Sequence, residues 1–310
     1  MGKLVRQCAV VLSLLAAIGC ALPACSPTSP DADGLLRVVA TTTIVGDVTR
    51  QVGGEHIELT VLLPVGSDPH TYEPAPQDIA ALSQADVILI NGAGLETFLE
   101  PLLDQSGADT AVVSVSDGIV LRHLGEDDHH QHGPGDADPH VWLDPHNVIV
   151  WVQNIERALS QLDPVNAEIY TANAAAYRTE LEELDAWIQA QVAQIAGPER
   201  RLVADHAMLG YFADRYGFEQ VGAVLPGFST LAEPSAQERA ELEEAILALD
   251  VGAIFVGVTS NPRLAQQIAR DTGIQVVPLY TGSLSASGGP AENYLALMRY
   301  NVTAIVTALQ

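Results

Sequence analysis

The tripeptide Asp-Pro-His occurs three times in this chain, at 68–70, 138–140 and 144–146, among nine histidines in all. Histidine is the commonest protein ligand for transition metals, so each copy is a candidate to carry a metal ligand. Position along the chain separates them. His70 follows the apolar stretch "IELTVLLPVG" (57–66), which reads as a buried strand, and His206 directly follows a second such stretch, "RRLVAD" (200–205). In open α/β sheets ligands bind beyond the carboxyl ends of strands, so these two imidazoles would point into one crevice. His140 lies in an irregular segment between a polar loop and a helix, within reach of the same crevice. Three neutral imidazoles suit Zn²⁺, and their affinity for it is expected to fall as pH drops through the free-histidine region near 6.5. Spacing alone leaves each of the three open to a second reading, a hydrogen-bonded structural histidine. His146 has its own competing explanation. Asp144 can serve as an N-cap and Pro145 as the first helical residue, which makes this copy a helix start.

Other chemistry-bearing patterns are weaker. Residues 123–137, "HLGEDDHHQHGPGDA", have no apolar periodicity. They read as a His-rich loop of soft metal affinity, a collector rather than the tight site. "GAG" at 92–94 lacks the third glycine of a dinucleotide fingerprint, and the chain has no G-x-S-x-G, H-E-x-x-H or P-loop. Trp142, Trp151 and Trp187 are most simply core or helix-packing residues.

The elements that must position these residues alternate. Short apolar runs at 36–40, 57–66, 86–91 and 110–116 read as strands, with helical patterns at 44–52, 74–85 and 94–105, the last expected to kink or break at Pro101. From Asn147 the pattern turns helical. About thirty residues from Ala167 to Ala196 lack Gly and Pro and would span roughly 45 Å as a helix. Such a helix is better placed as a bridge along two lobes than inside one. Strand and helix then alternate again from 200 to 309. The fold class is α/β, with two lobes of mainly parallel sheet joined by one long helix and the metal site in the cleft between them. The expected divisions are an N-terminal lobe at 35–165, a linking helix at 166–197 and a C-terminal lobe at 198–310.

The formal charge of −25, Asp+Glu 39 against Lys+Arg 14, excludes the basic footprint that nucleic acid demands. All three cysteines, Cys8, Cys20 and Cys25, fall in the first 25 residues. Lys3 and Arg6 precede an apolar run from Ala9 to Ile18 that is too short to span a membrane. "AIGC" and "LPAC" then resemble the bacterial lipobox. The expected leader is 1–24, with Cys25 lipidated (alternative Cys20) and 25–34 a flexible tether.

Four stretches, "VLLPVGSDPHTYEPAPQDIAAL", "DPHVWLDP", "DHAMLGYFADRYG" and "ENYLALMRYNVTAIVTAL", resemble in order the zinc/manganese solute-binding lipoproteins of bacterial ABC transporters. That group includes zinc-uptake and manganese-uptake proteins and lipoproteins described as adhesins. The resemblance implies an extracytoplasmic, lipid-anchored monomer that binds metal as cargo, delivers it to a membrane permease and is not an enzyme. It maps the metal ligands onto His70, His140 and His206. The family's fourth ligand is often an Asp in the last strand-loop, where this chain has Gly282 in "LYTGSLSASGG". Water, an open position or Glu233 is then the expected fourth partner. Manganese members tend to have an acidic residue at the place of His206, so the imidazole set favours zinc over manganese. Two rivals stay open on the residues alone. One is a hydrolase or hydratase using three His and a water. The other is a surface lipoprotein with a structural metal.

Overall fold

The structure is a computed structural model and describes residues 34–106, 110–123 and 137–310. The leader, both lipobox cysteines and residues 124–136 of the His-rich segment lie outside the described residues.

In the N-terminal lobe, β1 (Leu36–Ala40), α1 (Thr43–Gly53), β2 (Ile57–Val61), α2 (Pro76–Gln84), β3 (Val87–Ile90), α3 (Leu99–Ser106) and β4 (Ala111–Ser114) succeed one another. The strands pair in parallel in the order β2-β1-β3-β4. β1 buries all its residues except Arg37, which pairs with Asp86 at 2.9 Å. Thr42 caps α1 by accepting from Val45 N at 3.1 Å. Gly54 ends it at φ 58, a left-handed φ that favours glycine. β2 runs to Val61, short of the full apolar run, and Leu62 N and Leu63 N still donate to Ala40 O and Thr41 O before Pro64, which has no N–H, ends the pattern. α3 begins at Leu99 rather than 94. Gly92, Ala93 and Gly94 all take positive φ (79, 52 and 80) and turn the chain before the helix can start. Pro101 therefore falls in the first turn, where its missing N–H costs nothing, and it does not break the helix.

α4 (Pro145–Leu162) and α5 (Ala167–Val192) pack along each other. α5 has 26 residues, about 39 Å of helix. It ends five residues before Gly197, where the chain turns so that Ile195 is buried. Its buried face, Tyr170, Ala174, Tyr177, Leu181, Leu184, Ile188 and Val192, has helical three-and-four spacing. That face packs on α1 and α4 and on the last helix of the C-terminal lobe.

The C-terminal lobe repeats the plan with β5 (Arg201–Ala204), α6 (Gly210–Tyr216), β6 (Glu219–Ala223), α7 (Ala236–Ala248), β7 (Ala253–Gly257), α8 (Arg263–Thr272), β8 (Gln275–Leu279) and α9 (Tyr294–Leu309). Its parallel order is β6-β5-β7-β8, and Pro278 is tolerated because β8 is an edge. One hydrophobic cluster runs through both lobes, from Leu36, Val45 and Leu89 through Leu181 to Leu202, Phe255 and Tyr294. Two smaller clusters lie under α2 and α3 and under α7 and α8. Among the described residues no helix is long and apolar enough to cross a membrane.

Candidate metal centre

All three Asp-Pro-His copies are the same local turn. Asp68 Oδ1 accepts from His70 N at 3.0 Å, Asp138 Oδ1 from His140 N at 3.0 Å, and Asp144 Oδ1 from His146 N at 2.8 Å. This is an Asx turn, which the short Asp side chain closes two residues ahead. The three copies differ in their settings. The first lies in the loop after β2. The second precedes a 3₁₀ turn, Val141–Leu143, and the third opens α4 with Asp144 as its cap.

The first two turns deliver their imidazoles to a common point, joined by His206 from the end of β5. His70 Nε2 and His206 Nε2 each lie 3.1 Å from His140 Nε2. The three ligand atoms all fall within 4.8 Å of one another. His140 and His206 are buried at 2% and 3% exposure, and His70 is half-buried. Four ligands at ~2.0–2.1 Å around a tetrahedral ion lie about 3.3 Å apart, so the two short separations fit a shared metal.

Carboxylates set the tautomers. His140 Nδ1 lies 2.8 Å from Asp138 Oδ1, and His206 Nδ1 lies 2.8 Å from Asp205 Oδ1. A carboxylate partner keeps the proton on Nδ1 and leaves Nε2 with a lone pair. Two acceptor nitrogens 3.1 Å apart cannot hydrogen-bond each other, and a cation between them resolves the clash. The two carboxyls have opposite surroundings. Burial opposes ionisation of Asp205, but hydrogen bonds from His206 and from Gly257 N, at 3.0 Å, hold its pKa below the ordinary value. Burial pushes Asp138 up to about 7, against the pull of the His140 N–H and the Arg122 charge. Its Oδ2 is buried with no hydrogen-bond partner, 3.8 Å from Arg122 Nε.

Burial, together with the charge of His206, lowers the His70 pKa to about 4, against a partial opposing pull from Asp68 and Asp205. Burial likewise takes His140 well below 6.5. Both groups thus stay neutral to lower pH than free histidine.

The remaining space among the three histidines is about 10 Å³, atom-sized. Around it stand Pro69, Trp142, Thr230, Thr259, Thr281 and Gly282. Trp142, expected only as packing, lies edge-on to His140 with ring centroids 5.3 Å apart and donates to Thr281 O at 2.8 Å. Asp68 borders the cavity too, but its Oδ1 is in the turn and its Oδ2 accepts from Thr230 Oγ1 at 2.6 Å. Glu233 is exposed and does not line the cavity. His146 is exposed and receives a hydrogen bond from Arg215 at 2.8 Å. His123 and Ala137 pair antiparallel at the root of the His-rich segment. A larger groove, about 640 Å³, lies between β8 and α9 and contains none of the three histidines.

Sequence reasoning missed Asp138 and Asp205 as partners, although each stands one or two residues before its histidine. Trp142 stands two residues after His140 on the same turn, whereas Thr230 and Arg122 approach through tertiary structure and left no local signal.

Two parallel-sheet lobes on one spanning helix, with imidazoles from both lobes converging in the cleft, define a bilobal solute-binding protein built for a metal ion. The model of the periplasmic zinc-uptake complex component A family (ZnuA) matches residues 38–308, and the chain belongs to that family. It is 36% identical over 301 residues to the manganese-binding lipoprotein MntA of Halalkalibacterium halodurans, covering 97% of this chain and 96% of that one. The periplasmic zinc binding protein TroA from Treponema pallidum superposes with TM-score 0.81 at 27% identity, over 89% of this chain and 99% of TroA. A Mn-bound periplasmic metal binding protein from candidatus Liberibacter asiaticus gives 0.79 at 28%, over 88% and 99%. The chain is thus an extracytoplasmic, metal-binding substrate-binding protein of the ABC-transporter class, and its family is one of carriers, not enzymes.

Proposed function

We propose that the chain captures Zn²⁺ through His70, His140 and His206 and delivers it to an ABC permease. The observation that carries this reading is the pair of 3.1 Å contacts between imidazole nitrogens whose protons, on two of the rings, are committed to Asp138 and Asp205. Three nitrogen donors with no free carboxylate on the cavity favour zinc over manganese, which prefers oxygen. The fourth place is then taken by water, because Gly282 offers no side chain, Glu233 is exposed and Asp68 is engaged elsewhere. Cys25, or Cys20, anchors the chain to the membrane surface through a lipid.

The likeness to MntA favours a second reading, manganese as the cargo. Calorimetric titration of the purified protein with Zn²⁺ and with Mn²⁺ separates the two. Zinc should bind one to one and more tightly, with binding largely lost in His140→Ala and His206→Ala and retained in His146→Ala. Tighter manganese binding refutes the zinc assignment. Equal losses in all three variants refute the ligand assignment.

A further inference from the structure

The peptide bond that carries His140 is gripped at both ends. Its N–H donates to Asp138 Oδ1 at 3.0 Å, and its carbonyl, Pro139 O, accepts from Asn91 Nδ2 at 3.1 Å. Asn91, at the end of β3, is fully buried. Its Nδ2 also donates to Gly92 O at 2.7 Å, while its Oδ1 is buried with no hydrogen-bond partner. Leaving a buried acceptor unpaired is costly. The amide holds that orientation because both of its hydrogen-bond acceptors, one of them Pro139 O, lie on the nitrogen side.

Asn91 is in turn held by Glu96. Glu96 Oε1 accepts from Asn91 N and from Thr41 Oγ1, each at 2.7 Å, and Oε2 accepts from Gly92 N at 3.0 Å. These backbone donors are freed by the left-handed turn through Gly92, Ala93 and Gly94, and a carboxylate is the side chain that can take all three. Burial pushes the Glu96 pKa up, and these hydrogen bonds, with one from its own backbone N–H, hold it back. Thr41 extends the chain of contacts to the second ligand. Its carbonyl accepts from Leu63 N at 3.0 Å, where the loop bearing His70 departs.

We infer that Glu96 is a positioning residue for the metal site, acting through Asn91 on the Pro139–His140 peptide and through Thr41 on the root of the His70 loop. It touches neither cargo nor ligand ring. Its amide analogue fails because one of its two acceptor oxygens becomes an NH₂ that faces N–H donors. The inference rests on the reading of His70, His140 and His206 as the metal ligands.

The test uses Co²⁺ as a visible probe, with its d–d absorption reporting ligand geometry, alongside zinc affinity by chelator competition and melting of the metal-free protein. Glu96→Gln and Asn91→Ala are each expected to weaken zinc roughly tenfold or more, as outer-shell changes do, and to shift the Co²⁺ bands. A merely structural role lowers the melting temperature and leaves the bands alone. Folded variants with wild-type Co²⁺ spectra and zinc affinities within twofold overturn the inference. If Glu96→Gln does not fold, Asn91→Ala decides alone, because it leaves the carboxylate and its backbone donors in place. Loss of Co²⁺ binding in His140→Ala keeps the ligand assignment standing even if both of these variants behave as wild type.

Discussion

Placing a side chain at Gly282 should weaken metal binding, even where the side chain is a carboxylate. Gly282 faces Pro69, the middle residue of the turn that presents His70. A Cβ there would lie 2.8 Å from Pro69 Cδ, whereas ordinary contact begins at 3.4 Å, a shortfall of about 0.6 Å. Pro69 is a ring closed on the backbone, so relief moves the turn and His70 with it. A site tolerates displacements of about 0.5 Å. Overpacking costs about 1–3 kcal/mol, and charged to the metal-holding arrangement this is a roughly 5- to 150-fold rise in Kd. Gly282→Ala isolates the steric effect. Gly282→Asp adds an oxygen donor to the same collision and should still bind more weakly than the parent. Pro69→Ala removes both ring atoms that the Cβ would meet, so Pro69→Ala/Gly282→Ala should regain most of the loss relative to Pro69→Ala alone. Zinc competition titrations on the four corners of that cycle measure it. Affinity of Gly282→Ala within twofold of the parent, or a loss that Pro69→Ala does not relieve, refutes the reasoning.

Asp205→Asn should weaken zinc roughly 10- to 100-fold, since it removes the charge that fixes the His206 proton on Nδ1; a chelator competition assay reads it. The metal-free protein should also lose stability on acidification. His70 is lowered to about 4 and His140 is lowered too, so each takes up a proton on unfolding as pH falls below about 6.5. Asp138, raised to about 7, works the other way, holding one proton in the folded state that the unfolded chain releases. Among these three groups two protons against one leave the unfolded state the greater binder between about pH 6.5 and 4, so their joint contribution to melting temperature should fall across that window, against the opposing pull of Glu96, Asp47 and Asp144, which burial raises. Unchanged melting from about pH 7 to about pH 4.5 would count against the burial of these groups.

Much of the fold was legible because local chemistry and tertiary need agreed. The β1–α1 junction was readable from an apolar run at 36–40 followed by a helical pattern at 44–52, and each lobe's alternation implied parallel strands. α3 was misjudged at its start because its apolar spacing continues into a segment whose backbone is left-handed, which spacing does not report. The site divides in the same way. His206 comes directly after a strand and His70 in the loop beyond one, and both were placed by that rule, while His140 was placed only by its reach toward the same crevice, with the resemblance agreeing. The grip of Asn91 on Pro139 spans 48 residues of sequence, and that of Glu96 on Thr41 spans 55. Neither is encoded locally. Glu96 looked like one more acidic residue in a chain that has 39.

The repeated Asx turn separates two tasks that metal sites often merge. Because Asp closes the turn on the backbone N–H, the loop keeps its shape whichever side chain comes next, and the imidazole is an attachment to a finished structure. Ligands can therefore be gained or lost by single substitutions without unravelling the loop around them. The third copy shows the silent form of this arrangement. His146 stands in a complete turn, but a ring nitrogen already accepts from Arg215, which is itself bound to Asp185 at 2.9 Å. Arg215 thus occupies a lone pair that would otherwise be free at the surface. The chain carries three finished mounts, and in this one an arginine takes the place of a metal.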